Sequence, residues 1–396
     1  MIYLGSYAGG GARGIGVAAL RDGVLALDST VESPARPAFL AAAPDRRALY
    51  AVHELEDGLI SGFAIGEDGS LRPRGTQPSA GAEPCHLSVH PSGRYVLSAN
   101  WGSGSIVVHR IGRGGTLGPA THVVESRKPH AHMVMTDPTG RFVLAVHLGA
   151  GTVSTYDLDL ESGRLRLRSE LALHHGAGPR HLAFHPRGTM VYVVNELDST
   201  VTACGYDPAS GRVEPRETVR TVPEDVAVEN FPSAVRVSPD GRFVYVGNRG
   251  HDSIGVLSTE AGLRLLATYP CGGQFPRDLA FQGNGRLLWV ANQRTDTVVG
   301  LAVDPADGSL GSPGASGSQS ERTRAKTIAA KMAREVSRPQ NSQSTPGAAA
   351  RSCLGETFQT ADLRLWVERA KGIEPSLRAW EARVLPLNYA RWRPRF

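Results

Sequence analysis

One template recurs six times in the first 310 residues: a Pro opens an apolar stretch, a Pro/Asp-x-Gly-Arg-like turn follows, and an alternating run ends in Asn or His. The copies begin at Pro37, Pro84, Pro129, Pro179, Pro232 and Pro276, with spacings of 47, 45, 50, 53 and 44 residues. Periods of this size belong to propellers and solenoids, in which each unit buries its apolar face only against its neighbours. The copy at Pro179 shows that the unit is all β. Residues 180–185 alternate, Pro186-Arg187-Gly188 turns, residues 190–195 are rich in β-branched and aromatic side chains, and residues 201–206 follow. Asp207-Pro208-Ala209-Ser210-Gly211 then makes a second hairpin before Arg212-Val213-Glu214. Four short strands joined by Gly and Pro turns make one propeller blade.

Ahead of the first copy, Ile2-Tyr3-Leu4-Gly5 matches Val244-Tyr245-Val246-Gly247, the second strand of a later unit. Residues 15–20 and 24–27 then read as a third and fourth strand. The expected fold is therefore all-β, a seven-bladed propeller of four-stranded blades, with residues 1–310 as the propeller domain. Ring closure needs an innermost strand for the blade at Ile2 to return from the C-terminal side, so that no sheet edge stays open. No such strand is found after Leu310. Residues 325–336 place Ile328, Met332 and Val336 at a helical period, residues 337–352 read as a polar linker, and only Leu363-Arg364-Leu365-Trp366-Val367 alternates like a strand. Residues 311–396 are thus expected to be a basic, largely non-β tail, partly disordered or helical, that leaves the propeller unclosed and the chain prone to aggregation. Its end, from Glu368-Arg369-Ala370-Lys371-Gly372-Ile373-Glu374-Pro375 to Leu385-Pro386-Leu387-Asn388-Tyr389-Ala390-Arg391, resembles a peptide that arises when a reading frame runs into a neighbouring tRNA gene. A frameshifted or read-through terminus is the expectation; a real accessory domain is the alternative.

Composition narrows the function classes. With 41% hydrophobic and 20% charged residues the chain can bury a core and is not of the disordered type. Cys85, Cys204, Cys271 and Cys353 form no C-x-x-C pair, which argues against a zinc site and a secreted disulfide framework. The first residues lack a basic and then apolar leader, and no apolar run approaches membrane length. A soluble cytoplasmic protein without a membrane partner is the expectation. The tail holds 15 Lys/Arg against 7 Asp/Glu, whereas residues 1–310 hold 28 against 31. The tail's arginines are scattered among acidic and apolar residues rather than clustered, so a nucleic-acid partner is not expected.

Propeller geometry locates the chemistry. Loops entering each inner strand and loops leaving each second strand open on one face, around the mouth of the central channel. After each opening Pro stand Ala38, Cys85, His130, Arg180, Ser233 and Arg277; after each second-strand Asn or His stand Glu54, Trp101, Leu148, Glu196, Arg249 and Gln293. Recurring residues such as Asn100, Asn195, Asn248 and Asn292 read as loop-bonding groups. His132 departs most from the template, because three residues after the other opening prolines stand Leu40, Leu87, Leu182, Val235 and Leu279. Two positions from His130, it would face the channel with it, either as a proton-transfer group or as a satisfied core histidine. No third ligand is signalled nearby, so neither a metal nor another cofactor is expected. His86 with His181, and His90 with His185, share template positions and read as structural.

Arg180, Arg249 and Arg277 suit a carboxylate or phosphate, since guanidinium forks bind such groups bidentately; each also fits a blade-to-blade ion pair. Lys128, the only Lys among residues 1–310, adds charge near the mouth or is an exposed loop residue. Glu196 is either a water-activating base or the partner of one of the arginines. Gly9-Gly10-Gly11-Ala12-Arg13-Gly14 satisfies G-x-G-x-x-G, but a strand rather than a helix follows it, which argues for a hairpin over a dinucleotide site. G-x-S-x-G, P-loop and H-E-x-x-H motifs are absent from the sequence.

The segments Pro129-His130-Ala131-His132, Gly178-Pro179-Arg180-His181-Leu182-Ala183-Phe184-His185-Pro186, Asn195-Glu196-Leu197 and Asn248-Arg249-Gly250-His251-Asp252-Ser253-Ile254 together resemble the seven-bladed propeller lactonase family. That family includes the propeller-type 6-phosphogluconolactonases and the fungal carboxymuconate cycloisomerases. The resemblance covers residues 2–310, although the late Pro-x-Cys-like closing strand of the family is not found. By motif it implies a site of His132, Arg180, Glu196 and Arg249; His130, Arg277 and Lys128 are the substrate-binding candidates that the mouth positions themselves supply. The implied activity is hydrolysis of a small anionic sugar lactone such as 6-phosphogluconolactone. Lactone-forming cycloisomerisation is the enzymatic alternative, and a non-catalytic propeller that binds ligands or proteins is the alternative from another class.

Overall fold

The computed structural model describes residues 1–6, 14–21, 24–125 and 129–312. All of them fall in one compact unit, Met1–Tyr7 with Arg13–Ala333; a second unit, Ala8–Ala12 with Arg334–Phe396, lies outside the described residues. Lys128, the Gly-rich turn before Gly14 and every expectation about residues 313–396 also lie outside them.

Wherever the sequence sets a tight turn between alternating runs, those runs pair as antiparallel neighbours. They form seven separate sheets, numbered here as blades 1 to 7 in chain order. Blade 5 has the strands Pro179–Phe184, Met190–Asn195, Thr200–Asp207 and Arg212–Arg220, close to the segments anticipated from the Pro179 repeat. Blades 2 to 6 each have four strands. Blade 1 has three described strands, Ile2–Leu4, Ile15–Arg21 and Val24–Val31. Blade 7 also has three, Pro276–Phe281, Leu287–Asn292 and Thr297–Ala302, and continues to a single bridge between Val303 and Leu310. A single 3-10 turn, Arg113–Gly115, is the only helical element among the described residues. The result is a seven-bladed β-propeller built on a four-stranded plan.

Face-to-face packing of blades supplies the core. Leu97 and Tyr95 of blade 3 cluster with Val143 and Ala145 of blade 4, and Leu144 and Val146 of blade 4 pack on Val191 and Val193 of blade 5. The strands Ile2–Leu4, Ala48–His53, Tyr95–Asn100 and Phe243–Arg249 also carry tyrosines whose rings pack between blades and whose hydroxyls donate to the outer hairpin of the next blade. Tyr3 reaches Gly69 O at 3.0 Å, Tyr50 reaches Gly115 O at 3.0 Å, Tyr95 reaches Leu160 O at 2.9 Å and Tyr245 reaches Gly308 O at 2.9 Å. The Tyr3 contact bears out the match between Ile2-Tyr3-Leu4-Gly5 and Val244-Tyr245-Val246-Gly247.

At the mouth, the loop entering each inner strand is tied to the loop leaving the second strand. Glu54 N donates to Arg36 O, Trp101 N to Glu83 O, Leu148 N to His130 O, Glu196 N to Gly178 O and Gln293 N to Phe275 O. The five accepting residues all have a left-handed backbone, with φ of 53° at Arg36, 52° at Glu83, 60° at His130, 60° at Gly178 and 62° at Phe275. Four of these are not glycine, so the turn is held against a steric preference by the bonds around it.

This pattern corrects the register of blade 4. His130 is the counterpart of Gly178, and Ala131, paired with His147, stands where Pro84, Pro179 and Pro276 pair with Asn100, Asn195 and Asn292. Pro129 lies two residues too early to be the opening residue. The residue after the opening position is extra to the pairing, a β-bulge, in every one of these blades. His132 therefore corresponds to Ala38, Cys85, Arg180, Ser233 and Arg277, not to the leucines. The apolar template position is filled in blade 4 by Val134.

Candidate active site

A β-bulge turns the extra side chain away from the ladder, and the mouth ring of this propeller is built from such residues. Arg180 is 2% exposed and Arg249, at the end of its second strand, 3%. Between them lies Glu196, on the loop leaving the second strand of blade 5, its side chain 13% exposed. A single carboxylate oxygen, Oε2, forms ion pairs with both guanidinium groups, 2.9 Å from Arg180 Nε and 2.7 Å from Arg249 Nη2. Arg180 Nη1 also donates to Ser233 O at 2.8 Å, and Arg249 Nε to Phe231 O at 2.9 Å. Arg249 further lies over the Phe275 ring, 5.2 Å from its centre. Buried cations are retained where such partners offset their desolvation.

His132 is buried, and its Nδ1 has no hydrogen-bond partner among the described residues. Burial first, then the charges of Arg180 and Arg277 and more weakly Arg249, hold its pKa well below the usual imidazole range. It is a neutral imidazole at physiological pH, within the electrostatic field of three guanidinium groups. Cys85 occupies the same bulge position in blade 3. Burial and the negative charge of Glu54 push its thiol up, so that it is protonated, and its Sγ lies 3.4 Å from His132 O.

Phe39, His86 and His181 come from blades 2, 3 and 5, yet meet ring to ring: Phe39 and His86 at 4.2 Å, His86 and His181 at 5.4 Å. Blades 3 and 5 are not neighbours, so these rings meet at the propeller axis. His132 joins the row, 5.2 Å from His181. The cluster lowers the pKa of His86 to about 3, mainly through burial, and that of His181 well below its usual value for the same reason.

The structure thus brings together His132, Arg180, Glu196 and Arg249, with Arg277 within electrostatic reach of His132. Arg277 is half-buried and donates to Gln293 Oε1 at 3.3 Å. His130 does not face the channel with His132. Its ring stacks on Trp101 at 3.9 Å and its Nδ1 lies 3.3 Å from Trp101 O, because the left-handed turn directs it to the blade 3 side. Among the anticipated structural residues, Asn100, Asn248 and Asn292 donate to the loop carbonyls of Ser79, Thr221 and Cys271. His90 binds Gly140 O at 2.8 Å, tying blade 3 to the turn of blade 4. His86 and His181, set aside with it, instead lie beside the polar ring. Their position on the inner strand, one residue past the bulge, was the available signal. Among the described residues no cluster of His, Cys, Asp and Glu is arranged to hold a metal.

A propeller mouth that gathers three arginines, a carboxylate and a neutral histidine suits a small anionic ligand, and comparison with known proteins makes the class specific. The family described as Lactonase, 7-bladed beta-propeller matches residues 1–326. The chain belongs to this seven-bladed β-propeller lactonase family. It is 32% identical to a 6-phosphogluconolactonase of Bacillus subtilis over 324 residues, 78% of this chain and 92% of that protein. Its identity to a 6-phosphogluconolactonase of Pectobacterium carotovorum is 31%, covering 73% and 87% of the two chains. Among solved structures, a periplasmic gluconolactonase of Pseudomonas aeruginosa superposes with a TM-score of 0.74 at 27% identity, covering 78% of this chain and 94% of that one.

Proposed function

We propose that this chain is a lactone hydrolase that opens a small anionic sugar lactone of the 6-phosphogluconolactone type. The observation that carries the reading is the shared Oε2 of Glu196, which holds two buried arginines beside a neutral histidine at one mouth. Preset guanidinium groups bind an anionic substituent and stabilise charge on the carbonyl oxygen as water adds to it. His132, neutral and within that field, takes the proton from the attacking water. The resulting imidazolium is stabilised by the negative charge forming on the substrate. Collapse of the tetrahedral intermediate breaks the ring C–O bond, and His132 returns the proton to the leaving oxygen, giving a hydroxy acid. Glu196, engaged by two guanidinium groups through Oε2, acts in this reading as the clamp that orients them, and His132 as the base. Arg277 adds positive charge for the anionic end of the substrate.

Three described cysteines, all buried and none in a disulfide, accord with a reducing, cytoplasmic location, and no helix among the described residues is long and apolar enough to cross a membrane. The test is hydrolysis of 6-phosphogluconolactone and of glucono-δ-lactone by purified protein, followed in a pH-stat. Faster acid release from the phosphorylated lactone supports the reading. Acid release from neither lactone overturns it in favour of cycloisomerisation or ligand binding.

A further inference from the structure

Arg180 carries the anion-binding role in the proposed reaction, so the groups that aim its guanidinium bear directly on the chemistry. Beyond Glu196 and Ser233, its Nη1 lies 3.3 Å from Nε2 of His181. A guanidinium has only donors, so His181 Nε2 is the acceptor and carries no proton, and the neutral ring holds its proton on Nδ1. The same ring meets His132 in a T-shaped contact at 5.2 Å and an interplanar angle of 69°, and His86 at 5.4 Å and 73°. His181 therefore touches both the anion-binding arginine and the proposed base.

We propose that His181 is a positioning residue of this site, orienting Arg180 by accepting a hydrogen bond at Nε2. The proposal rests on the role given above to Arg180. Nothing in the blade fold itself demands a histidine here. Phe39, Met133 and Asp278 occupy the equivalent position in blades 2, 4 and 7. His86 occupies it in blade 3, but there the bulge residue is Cys85 and the His86 ring instead accepts from the Val134 amide at Nδ1, 3.4 Å away. Only in blade 5 does an imidazole at this position follow an arginine at the bulge. A protonated His181 would set a second donor against Arg180 and break the contact. Burial first, then the charges of Arg180 and Arg236, keep the ring neutral.

The test uses three single variants and one double variant, with kcat and KM measured on 6-phosphogluconolactone and the affinity for 6-phosphogluconate, its anionic product, measured by calorimetry. His181→Met copies the residue that the backbone already accommodates in blade 4, so the variant is expected to fold, with circular dichroism as the check. Loss of a hydrogen bond to a charged group should raise KM and the product Kd by about 10-fold to 100-fold, with a smaller change in kcat. His181→Gln retains an acceptor near Nε2 and should recover most of that loss. In an Arg180→Ala background, His181→Met should change kcat/KM by less than about 2-fold, because the residue acts through Arg180. Independent losses in the double variant, or wild-type kinetics and product affinity for His181→Met beside a damaged Arg180→Ala, overturn the positioning role alone. Wild-type kinetics for Arg180→Ala overturn both it and the role given to Arg180 in hydrolysis.

Discussion

The two ends of each blade obey different rules. At the end away from the mouth the same contacts repeat: tyrosine hydroxyls of blades 1, 2, 3 and 6 reach carbonyls of the following blade, and His90 does likewise through its ring. At the mouth the backbone of blades 2 to 5 and 7 repeats just as closely, with left-handed entry turns and bulges, yet the bulge residues are Ala38, Cys85, His132, Arg180 and Arg277. A bulge side chain leaves the ladder, so strand pairing does not fix its identity, which is open to chemistry. Substitutions at the mouth should therefore show chiefly in kinetics, and substitutions at the far end chiefly in stability.

The largest effect is expected at His132. His132→Ala should cost about 100-fold to 10,000-fold in kcat if the residue transfers protons, while thermal unfolding changes little, because Ala38 already fits this bulge in blade 2. A folded variant with wild-type turnover removes His132 from the mechanism. Arg180→Ala follows, with a loss in kcat/KM on the order of 100-fold that is shared between KM and kcat.

Glu196→Gln separates a clamp from a base. A clamp deprived of its charge but not its shape should show a rise in KM at least as large as the fall in kcat, about 10-fold each. A fall confined to kcat would return the role of base to Glu196. Initial-rate kinetics across substrate concentration decide between them.

Acid should expose the buried histidines. His86, His132 and His181 have folded-state pKa values below the ordinary imidazole range. The unfolded chain therefore binds more protons than the folded one once pH falls below about 6.5, and stability drops from there down toward the folded pKa values. The slope should be about 1.4 kcal/mol per pH unit for each histidine that titrates only in the unfolded state. Denaturant midpoints between pH 8 and pH 5 measure this, and replacing His86 with Phe, which stands at its equivalent position in blade 2, should reduce the slope. A slope unchanged by that replacement would show that His86 does not contribute.

The smallest effect belongs to the far end. Tyr95→Phe removes the bond to Leu160 O and should cost about 1 kcal/mol of stability with kcat and KM unaltered. A change in kinetics there would break the division between the two ends.

Much of this was legible along the chain because a propeller writes its period into the sequence. The six opening prolines and the alternating runs located blades 2 to 7, and Ile2-Tyr3-Leu4-Gly5 identified the strand of blade 1 whose tyrosine docks on Gly69. The ring of mouth residues that contains Arg180, Glu196, Arg249 and Arg277 followed from the same period. What the repeat could not convey was the register inside blade 4, where Ala131 replaces the opening proline and Pro129 stands two residues earlier. Sequence spacing follows the visible proline, but strand pairing follows hydrogen bonds, and the pairing of Ala131 with His147 moves His132 from a packing position to a bulge. Nor could spacing along one strand reveal partners from other blades. That one oxygen of Glu196 serves two arginines 16 residues before and 53 residues after it, and that the rings of His86 and His181 meet at the axis, depends on how the blades are arranged around a common centre. Local alternation and turn chemistry determined the blades; only their circular packing decided which side chains share charge.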